Sequence, residues 1–265
     1  MRILLIGDVF GRPGRRAVGQ VLPGLRRQLE VDLVAANGEN MAGGRGMTRA
    51  TLAELRQAGV EVITSGNHVW DQREMLTHLD AVEDVLRPLN YPPMAPGRGC
   101  WLGSGVIVIN VMGRLFMRAI DCPFRAVDRT LEQYGQLARV RLVDFHAEAT
   151  SEKMAMAWYL DGRVSAVVGT HTHVPTADAR LLPGGTATVT DLGMVGPRDS
   201  IIGLQPSVAI NGFLTALPQS FAVAESPLAQ FNSVLVDVDD RSGLARSIER
   251  VDRLVELAPP DRGRD

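Results

Sequence analysis

The sequence predicts an α/β protein in which two mixed sheets are flanked by helices. Through the first two-thirds of the chain, short apolar runs alternate with segments of helical spacing, which is typical of βαβ units and a parallel sheet. After residue 186 most segments resemble strands and a single helix intervenes, which indicates a more antiparallel section. Both features fit a core of two sheets packed between helices.

The predicted strands are apolar runs, many of them rich in β-branched residues and bounded by glycine or polar residues. In chain order they cover residues 2–7, 32–37, 60–66, 104–113, 138–146, 164–170, 186–194, 231–240 and 244–256. The predicted helices cover residues 13–30, 48–59, 71–86, 128–138, 151–162 and 207–217. Pro23 is expected to kink or break the first helix, and Gly59 to end the second.

Composition excludes several classes of protein. The 265-residue chain is 45% apolar and 22% charged, which is typical of a soluble globular protein, and its net charge of −2 gives no electrostatic footprint for nucleic acid or an anionic membrane. Cys100 and Cys122 form no CxxC pair, which argues against a disulfide scaffold or a zinc knuckle. The first apolar run is too short for a signal peptide or a membrane span, so we expect a cytoplasmic protein. We expect one domain over residues 1–265, with a flexible tail at 259–265.

Polar side chains follow five predicted strands at the point where each strand ends. They are Asp8; Asn37, Glu39 and Asn40; Asn67 and His68; His146; and His171 with His173. Residues beyond the carboxyl ends of parallel strands lie in the crevice where open α/β sheets bind ligands. Each group alone has a structural explanation, such as a helix N-cap, a turn or an ordinary histidine. Because all these explanations would have to hold at once, the joint pattern favours a shared site.

Seven of these side chains offer two carboxylates, two amides and three imidazoles to metal ions. They are Asp8, Glu39, Asn40, Asn67, His146, His171 and His173. A single ion rarely needs so many protein ligands, whereas two ions that share a bridging carboxylate use them naturally. Mixed oxygen and imidazole ligands suit iron, manganese or zinc better than calcium. Such ions attract phosphate oxygens and lower the pKa of bound water, which provides an attacking hydroxide.

His68 is surplus to the seven ligands. We predict that it protonates a leaving alkoxide oxygen, and the alternative is that it supports a neighbouring ligand. Arg118, Arg125 and Arg198 are candidates for contact with a phosphate or a base, although solvated surface arginines are the favoured interpretation.

The motifs that carry these residues resemble those of the calcineurin-like metallophosphoesterases. They are GD at 7–8, GEN at 38–40, GNH at 66–68, His146, and GTHTH at 169–173, and their order matches over roughly the first 175 residues. The resemblance implies a four-layer α/β/β/α sandwich with a two-metal site at the strand ends. Most of that superfamily has Asp-x-His in the first motif and Gly-Asp in the second. This chain has Asp8-Val9-Phe10 and Gly38-Glu39-Asn40 instead.

This variant pattern resembles the YmdB-like branch of bacterial phosphodiesterases over nearly the whole chain, including GDVFGRPGR, NGENMAGG and TSGNHVWD. The branch implies cytoplasmic hydrolysis of 2′,3′-cyclic nucleotides with two iron or manganese ions. Mapped by motif, one ion takes Asp8, Glu39, Asn40 and His173. The other takes Glu39, Asn67, His146 and His171, so that Glu39 bridges the two, and His68 donates the proton.

Three other functions stay open at this point. One is a phosphatase that acts on monoesters or phosphoproteins, and another is a metal-bound regulatory protein with little catalysis. A nuclease is less favoured, because no basic stripe with interleaved aromatic residues is visible. The expected partner is a small phosphodiester, with no stable nucleic-acid complex and no membrane, and the apolar C-terminal segments leave a homo-oligomer possible.

Overall fold

The computed structural model describes residues 1–257. Its strands, in chain order, are β1 (Arg2–Ile6), β2 (Asp8–Val9), β3 (Leu33–Asn37), β4 (Val62–Thr64), β5 (Cys100–Gly103), β6 (Val106–Met112), β7 (Val140–His146), β8 (Ala166–Thr170), β9 (Arg180–Leu181), β10 (Ala187–Val189), β11 (Met194–Pro197), β12 (Leu228–Phe231), β13 (Ser233–Val238), β14 (Ala245–Arg250) and β15 (Arg253–Glu256). Its α-helices are α1 (Gly11–Gln28), α2 (Arg49–Ala58), α3 (Met75–His78), α4 (Pro123–Tyr134), α5 (Thr150–Tyr159) and α6 (Pro206–Thr215).

Two large mixed sheets form the centre of the molecule. The five-stranded sheet has the order β14-β13-β1-β3-β4. Strands β1, β3 and β4 are parallel to one another, β13 is antiparallel to β1, and β14 is antiparallel to β13. The six-stranded sheet has the order β5-β6-β7-β8-β10-β9, in which the four central strands are parallel. A four-stranded sheet, β15-β12-β11-β2, accompanies them and was not predicted.

Alternation of side chains along the strands creates three apolar cores and therefore four layers. In β1, Leu4 and Ile6 pack in the core that α1 and α2 contribute to, whereas Ile3 and Leu5 face the core between the two large sheets. On the far side of the six-stranded sheet, Phe145 packs in a third core with residues of α4 and α5. The predicted α/β/β/α order is confirmed.

The prediction of a helix over residues 71–86 is mostly wrong. Only α3 and a short 3-10 turn, Leu79–Ala81, are helical there. Val85 and Leu86 are instead extended and bridge to Ile63 and Arg98. Pairing with the sheet therefore overrides the local helical spacing.

Other differences from the prediction are smaller. α1 runs through Pro23 without a break, and its buried residues Val18, Leu22 and Leu25 hold both halves against the core. Residues 186–197 and 244–256 each contain two strands separated by a short interruption. The predicted tail, 259–265, lies outside the described residues, and no helix within 1–257 is long and apolar enough to cross a membrane.

Candidate metal centre

The carboxyl ends of the parallel strands from both large sheets meet at one edge of the molecule. Glu39 and Asn40 follow β3, Asn67 and His68 follow β4, and His146 ends β7. Asp8 follows β1 and lies in β2, and the two remaining histidines, 171 and 173, follow β8. All eight predicted site residues therefore lie at this edge, within hydrogen-bonding or ion-pair distance of one another as described below.

Three side chains that could bind a metal ion surround Nε2 of His146, which is itself the fourth candidate ligand. Its Nε2 lies 3.0 Å from Glu39 Oε1, 3.1 Å from Asn67 Oδ1 and 3.0 Å from His171 Nδ1. One ring nitrogen carries either one hydrogen or one lone pair, so it cannot satisfy three such neighbours. Donor atoms at this spacing fit a shared cation with ligand bonds of about 2.0–2.2 Å. Glu39, His146 and His171 thus form a candidate metal-binding group.

Asp8, Asn40 and His173 form a second group beside the first. His173 Nε2 lies 3.3 Å from Asn40 Oδ1 and 4.0 Å from Asp8 Oδ1. The Asn40 amide donates to the carbonyl oxygen of Gly44 at 2.9 Å, which turns its Oδ1 toward His173. Asp8 is fully buried, and its Oδ1 has no hydrogen-bond partner in the described part of the chain. Because an unpaired buried carboxylate oxygen is costly, this oxygen fits a cation.

Hydrogen bonds fix which nitrogen of each histidine offers a lone pair. The hydroxyl of Thr170 donates to Asp144 Oδ1 at 2.8 Å, so it accepts the Nδ1 hydrogen of His146 at 3.0 Å. Glu148 Oε2 holds Nε2 of His171 at 3.0 Å, which leaves Nδ1 facing the first group.

His173 is oriented in the same way by the main chain. Its Nδ1 donates to the carbonyl oxygen of Ile202 at 2.8 Å, so Nε2 carries the lone pair that faces the second group. Such outer contacts orient metal-binding imidazoles in known sites.

The charge balance of the site favours cations. Burial raises the pKa of Asp8 well above its usual value. Burial and the nearby His146 lower the pKa of His171 to about 3, and burial lowers the pKa of His173, so both imidazoles are neutral near pH 7, as metal ligands must be. Burial works against the charge of Glu39, yet the facing His146 lowers its pKa to about 2. Burial also opposes the charge of His146, yet the facing Glu39 raises its pKa, so in the metal-free site a proton lies between the two side chains, and a bound cation would take its place.

His68 lies beside the two groups, at the wall of an open cavity of about 290 Å³ that His171, His173 and Glu148 also line. Its main-chain N–H donates to Glu39 Oε2 at 3.1 Å. Its Nδ1 lies 2.8 Å from Asp71 Oδ2, which leaves Nε2 for a ligand. Sequence reasoning missed Asp71, although a carboxylate three residues after a candidate proton donor is a usable signal.

The loop that carries the two histidines of GTHTH is held by a buried ion pair. His171 and His173 have φ of 107° and 65°, a region that residues other than glycine seldom adopt. Between them, the N–H and hydroxyl of Thr172 donate to Asp191 Oδ2 at 3.1 and 2.8 Å. The same oxygen lies 2.7 Å from Lys153 Nζ, and both charged side chains are nearly inaccessible to solvent. Sequence reasoning also missed this pair.

The three arginines considered as substrate contacts stay outside the site. Arg118, Arg125 and Arg198 are all exposed, and none of them lines the cavity next to His68.

Fold and site together define a hydrolase with a candidate metal centre at its strand ends, and the comparisons agree. A 2′,3′-cyclic-nucleotide 2′-phosphodiesterase of Bacillus subtilis is 45% identical over 255 residues, which cover 95% of this chain and 96% of that protein. A putative phosphatase/phosphodiesterase of Mycoplasma genitalium is 36% identical, over 95% of this chain and 92% of the relative. The sequence model of the YmdB-like protein family matches residues 4–251. The chain belongs to this family.

Two solved structures share the fold. A hypothetical protein from Thermus thermophilus superposes with a TM-score of 0.90 at 48% identity, covering 97% of this chain and 100% of that one. A structure described as a novel phosphatase from Mycoplasma pneumoniae gives a TM-score of 0.90 at 33% identity, covering 98% of this chain and 95% of that one. The predicted YmdB-like resemblance is confirmed.

The contact between Gly66 and His146 yields one prediction. A Cβ atom at Gly66 would lie 2.0 Å from the His146 ring, so Gly66→Ala displaces the central imidazole. We expect metal affinity, measured by titration of the metal-free protein, to fall by about 10- to 100-fold. Gly24→Ala in α1 is the matched control, because its Cβ would meet no atom within 4 Å. Unchanged affinity in Gly66→Ala would show that His146 is not a ligand.

The Lys153–Asp191 pair yields a second prediction. Lys153→Met leaves Asp191 buried and uncompensated, so we expect the free energy of unfolding to fall by about 3–5 kcal/mol. Arg98→Met, which removes an exposed pair with Glu83, should cost about 0–1 kcal/mol. Chemical denaturation measures both, and equal effects would refute a special role for the buried pair.

Proposed function

We propose that this chain is a dinuclear-metal phosphodiesterase of the calcineurin-like metallophosphoesterase superfamily, and that it hydrolyses 2′,3′-cyclic nucleotides. The observation that carries the proposal is the presence of two adjacent groups of carboxylate, amide and imidazole side chains, one around His146 Nε2 and one around His173 Nε2, beside an open cavity. The name of the 45% identical Bacillus relative supports the substrate class. In this proposal residues 1–265 form one catalytic domain that works in the cytoplasm on a small phosphodiester.

Each group of donors is assigned one ion. Asp8, Glu39, Asn40 and His173 would hold the first ion, and Glu39, Asn67, His146 and His171 the second, with Glu39 shared. Iron or manganese suits this mixture of oxygen and imidazole ligands best, and zinc also accepts it. When bound, the two ions neutralise charge on the phosphoryl oxygens and lower the pKa of water for attack on phosphorus.

The chain's own residues then assist the departure of the leaving group. As water adds to phosphorus in line and releases a proton to solvent, the bond from phosphorus to the ribose 2′ oxygen breaks, and the 3′ ester bond stays intact. His68 Nε2 gives its proton to the departing oxygen, which therefore leaves as a hydroxyl rather than an alkoxide. Asp71 fixes the hydrogen of His68 on Nδ1 and stabilises the ring while it is protonated. The hydrogen bond from the His68 main-chain N–H to Glu39 fixes the position of this proton donor relative to the candidate metal ligands.

The assignment of ligands predicts the metal content. Purified, metal-loaded protein should contain about two transition ions per chain. Asn40→Ala removes a ligand only from the group around His173, so this variant should retain about one ion per chain. Asn67→Ala should instead weaken metal binding by the group around His146. Elemental analysis gives the count, and anomalous scattering across the iron and manganese edges gives identity and ligands together. A single ion in the wild-type protein would refute the dinuclear assignment.

The role of His68 predicts a selective loss of rate. His68→Ala should slow hydrolysis of a 2′,3′-cyclic nucleotide by about 10²–10⁴-fold while metal content stays unchanged. Bis(4-nitrophenyl) phosphate should be much less affected, because its acidic leaving group needs no proton. His78→Ala, which changes the histidine outside the site, is the control. Loss of metal in His68→Ala would instead assign His68 to support of a ligand.

A monoester assay distinguishes the phosphatase alternative that the names of the Mycoplasma relatives suggest. The proposal expects the cyclic diester to be hydrolysed with the higher kcat/KM. A preference for nucleoside monophosphates would replace the proposed activity with that of a phosphatase.

A further inference from the structure

An apolar cavity of about 570 Å³ opens beside the cavity of the candidate metal centre. The two cavities share Ile202, Leu204 and Phe221 in their walls, so they are adjacent. Within residues 1–257, no charged side chain lines the apolar cavity, and the polar side chains in its wall are those of Gln219 and Ser220. A ligand with an anionic end and a neutral, flat, apolar end matches this pair of cavities.

Helix α6 forms the outer wall of the apolar cavity and buries none of its residues. Phe213 is 84% exposed. Exposed aromatic groups of this size beside a catalytic cavity are typical of a surface that a ligand covers.

Phe221 lies in the wall that the two cavities share, and aromatic contacts connect it to the candidate metal centre. Its ring centroid lies 6.1 Å from that of Phe10, and the Phe10 ring meets the His173 ring edge-on at 5.4 Å. The guanidinium of Arg45 lies 4.2 Å from the centroid of Phe221. Phe221 is therefore held in a defined position relative to the candidate ligand His173.

We propose that the apolar cavity is the subsite for the nucleobase of the substrate, with Phe221 and Phe213 as specificity-determining residues. This inference rests on the proposed function, because it places the base next to a phosphate bound at the metal centre. Aromatic faces stack on any base, so the subsite favours nucleosides over substrates without a base and discriminates weakly among bases.

Steady-state kinetics on the metal-loaded enzyme test the assignment with two substrates, adenosine 2′,3′-cyclic phosphate and methyl riboside 2′,3′-cyclic phosphate, which lacks the base. Phe213→Ala should raise KM for the adenosine substrate by about 10-fold and leave kcat nearly unchanged, and Phe221→Leu should raise the same KM. Phe213→Ala should not alter KM for the riboside, because Phe213 does not line the cavity of the metal centre. Leu137→Ala is the control, because this exposed leucine precedes β7 at the end opposite His146.

Binding of adenosine to the metal-free protein, followed by calorimetry or ligand-observed NMR, separates this inference from the proposed function. Adenosine has no phosphate, so it should bind wild type and lose about 10-fold in affinity in Phe213→Ala even if no cyclic nucleotide is hydrolysed. Hydrolysis with equal KM in wild type and both variants would overturn the base subsite while the phosphodiesterase remains. Parallel loss with both substrates would also overturn it, since that marks damage to the metal site. A change in molar mass of Phe213→Ala with unchanged KM would assign α6 to self-association instead.

Discussion

The hydroxyl of Thr170 determines which nitrogen of His146 carries a hydrogen, and the rest of the site depends on that choice. Parallel pairing of β7 and β8 places His146 and Thr170 side by side. Asp144, two residues before His146 in β7, accepts the hydrogen bond from the Thr170 hydroxyl. His146 must then donate from Nδ1, so Nε2 points at Glu39, Asn67 and His171. The register of the sheet thereby determines the orientation of the His146 ring.

The site also explains the unusual amount of charge inside the molecule. Asp8, Asp144, Asp191 and Lys153 are all buried near the strand ends, where an apolar core would be more stable. Asp144 and Asp191 are satisfied by hydroxyls, amides and Lys153, and their role is to hold the histidine loops in place. Among the buried side-chain oxygens of the described residues, only Asp8 Oδ1 has no hydrogen-bond partner. A cation explains that exception, so the stability of the fold and its chemistry are coupled at this edge.

Strand ends could be predicted from sequence because burial, β-branched content and polar termination are local signals. The layer order and the convergence of the eight site residues at one edge followed from them and from the family resemblance. The supporting residues could not be predicted in this way. Lys153 contacts Asp191, which lies 38 residues further along the chain, and Asn37 contacts Asp144, 107 residues away. Such contacts become visible only in the folded structure. The same limit produced the false helix at 71–86, where Val85 pairs with Ile63 of a distant strand. The edge-on contact of Phe10 with His173 joins residues 163 positions apart and was likewise not predicted.

The three histidines next to the metal groups are oriented by three kinds of acceptor, a hydroxyl, a carboxylate and a main-chain carbonyl. A carbonyl oxygen is present whatever side chain stands at position 202, whereas Thr170 and Glu148 each act through their own side chains. Substitution at position 202 therefore leaves the acceptor for His173 in place, whereas substitution of Thr170 or Glu148 removes the acceptor for His146 or His171. In the segment that lines the apolar cavity, side chains can therefore change while the main-chain hydrogen bond that orients His173 is kept.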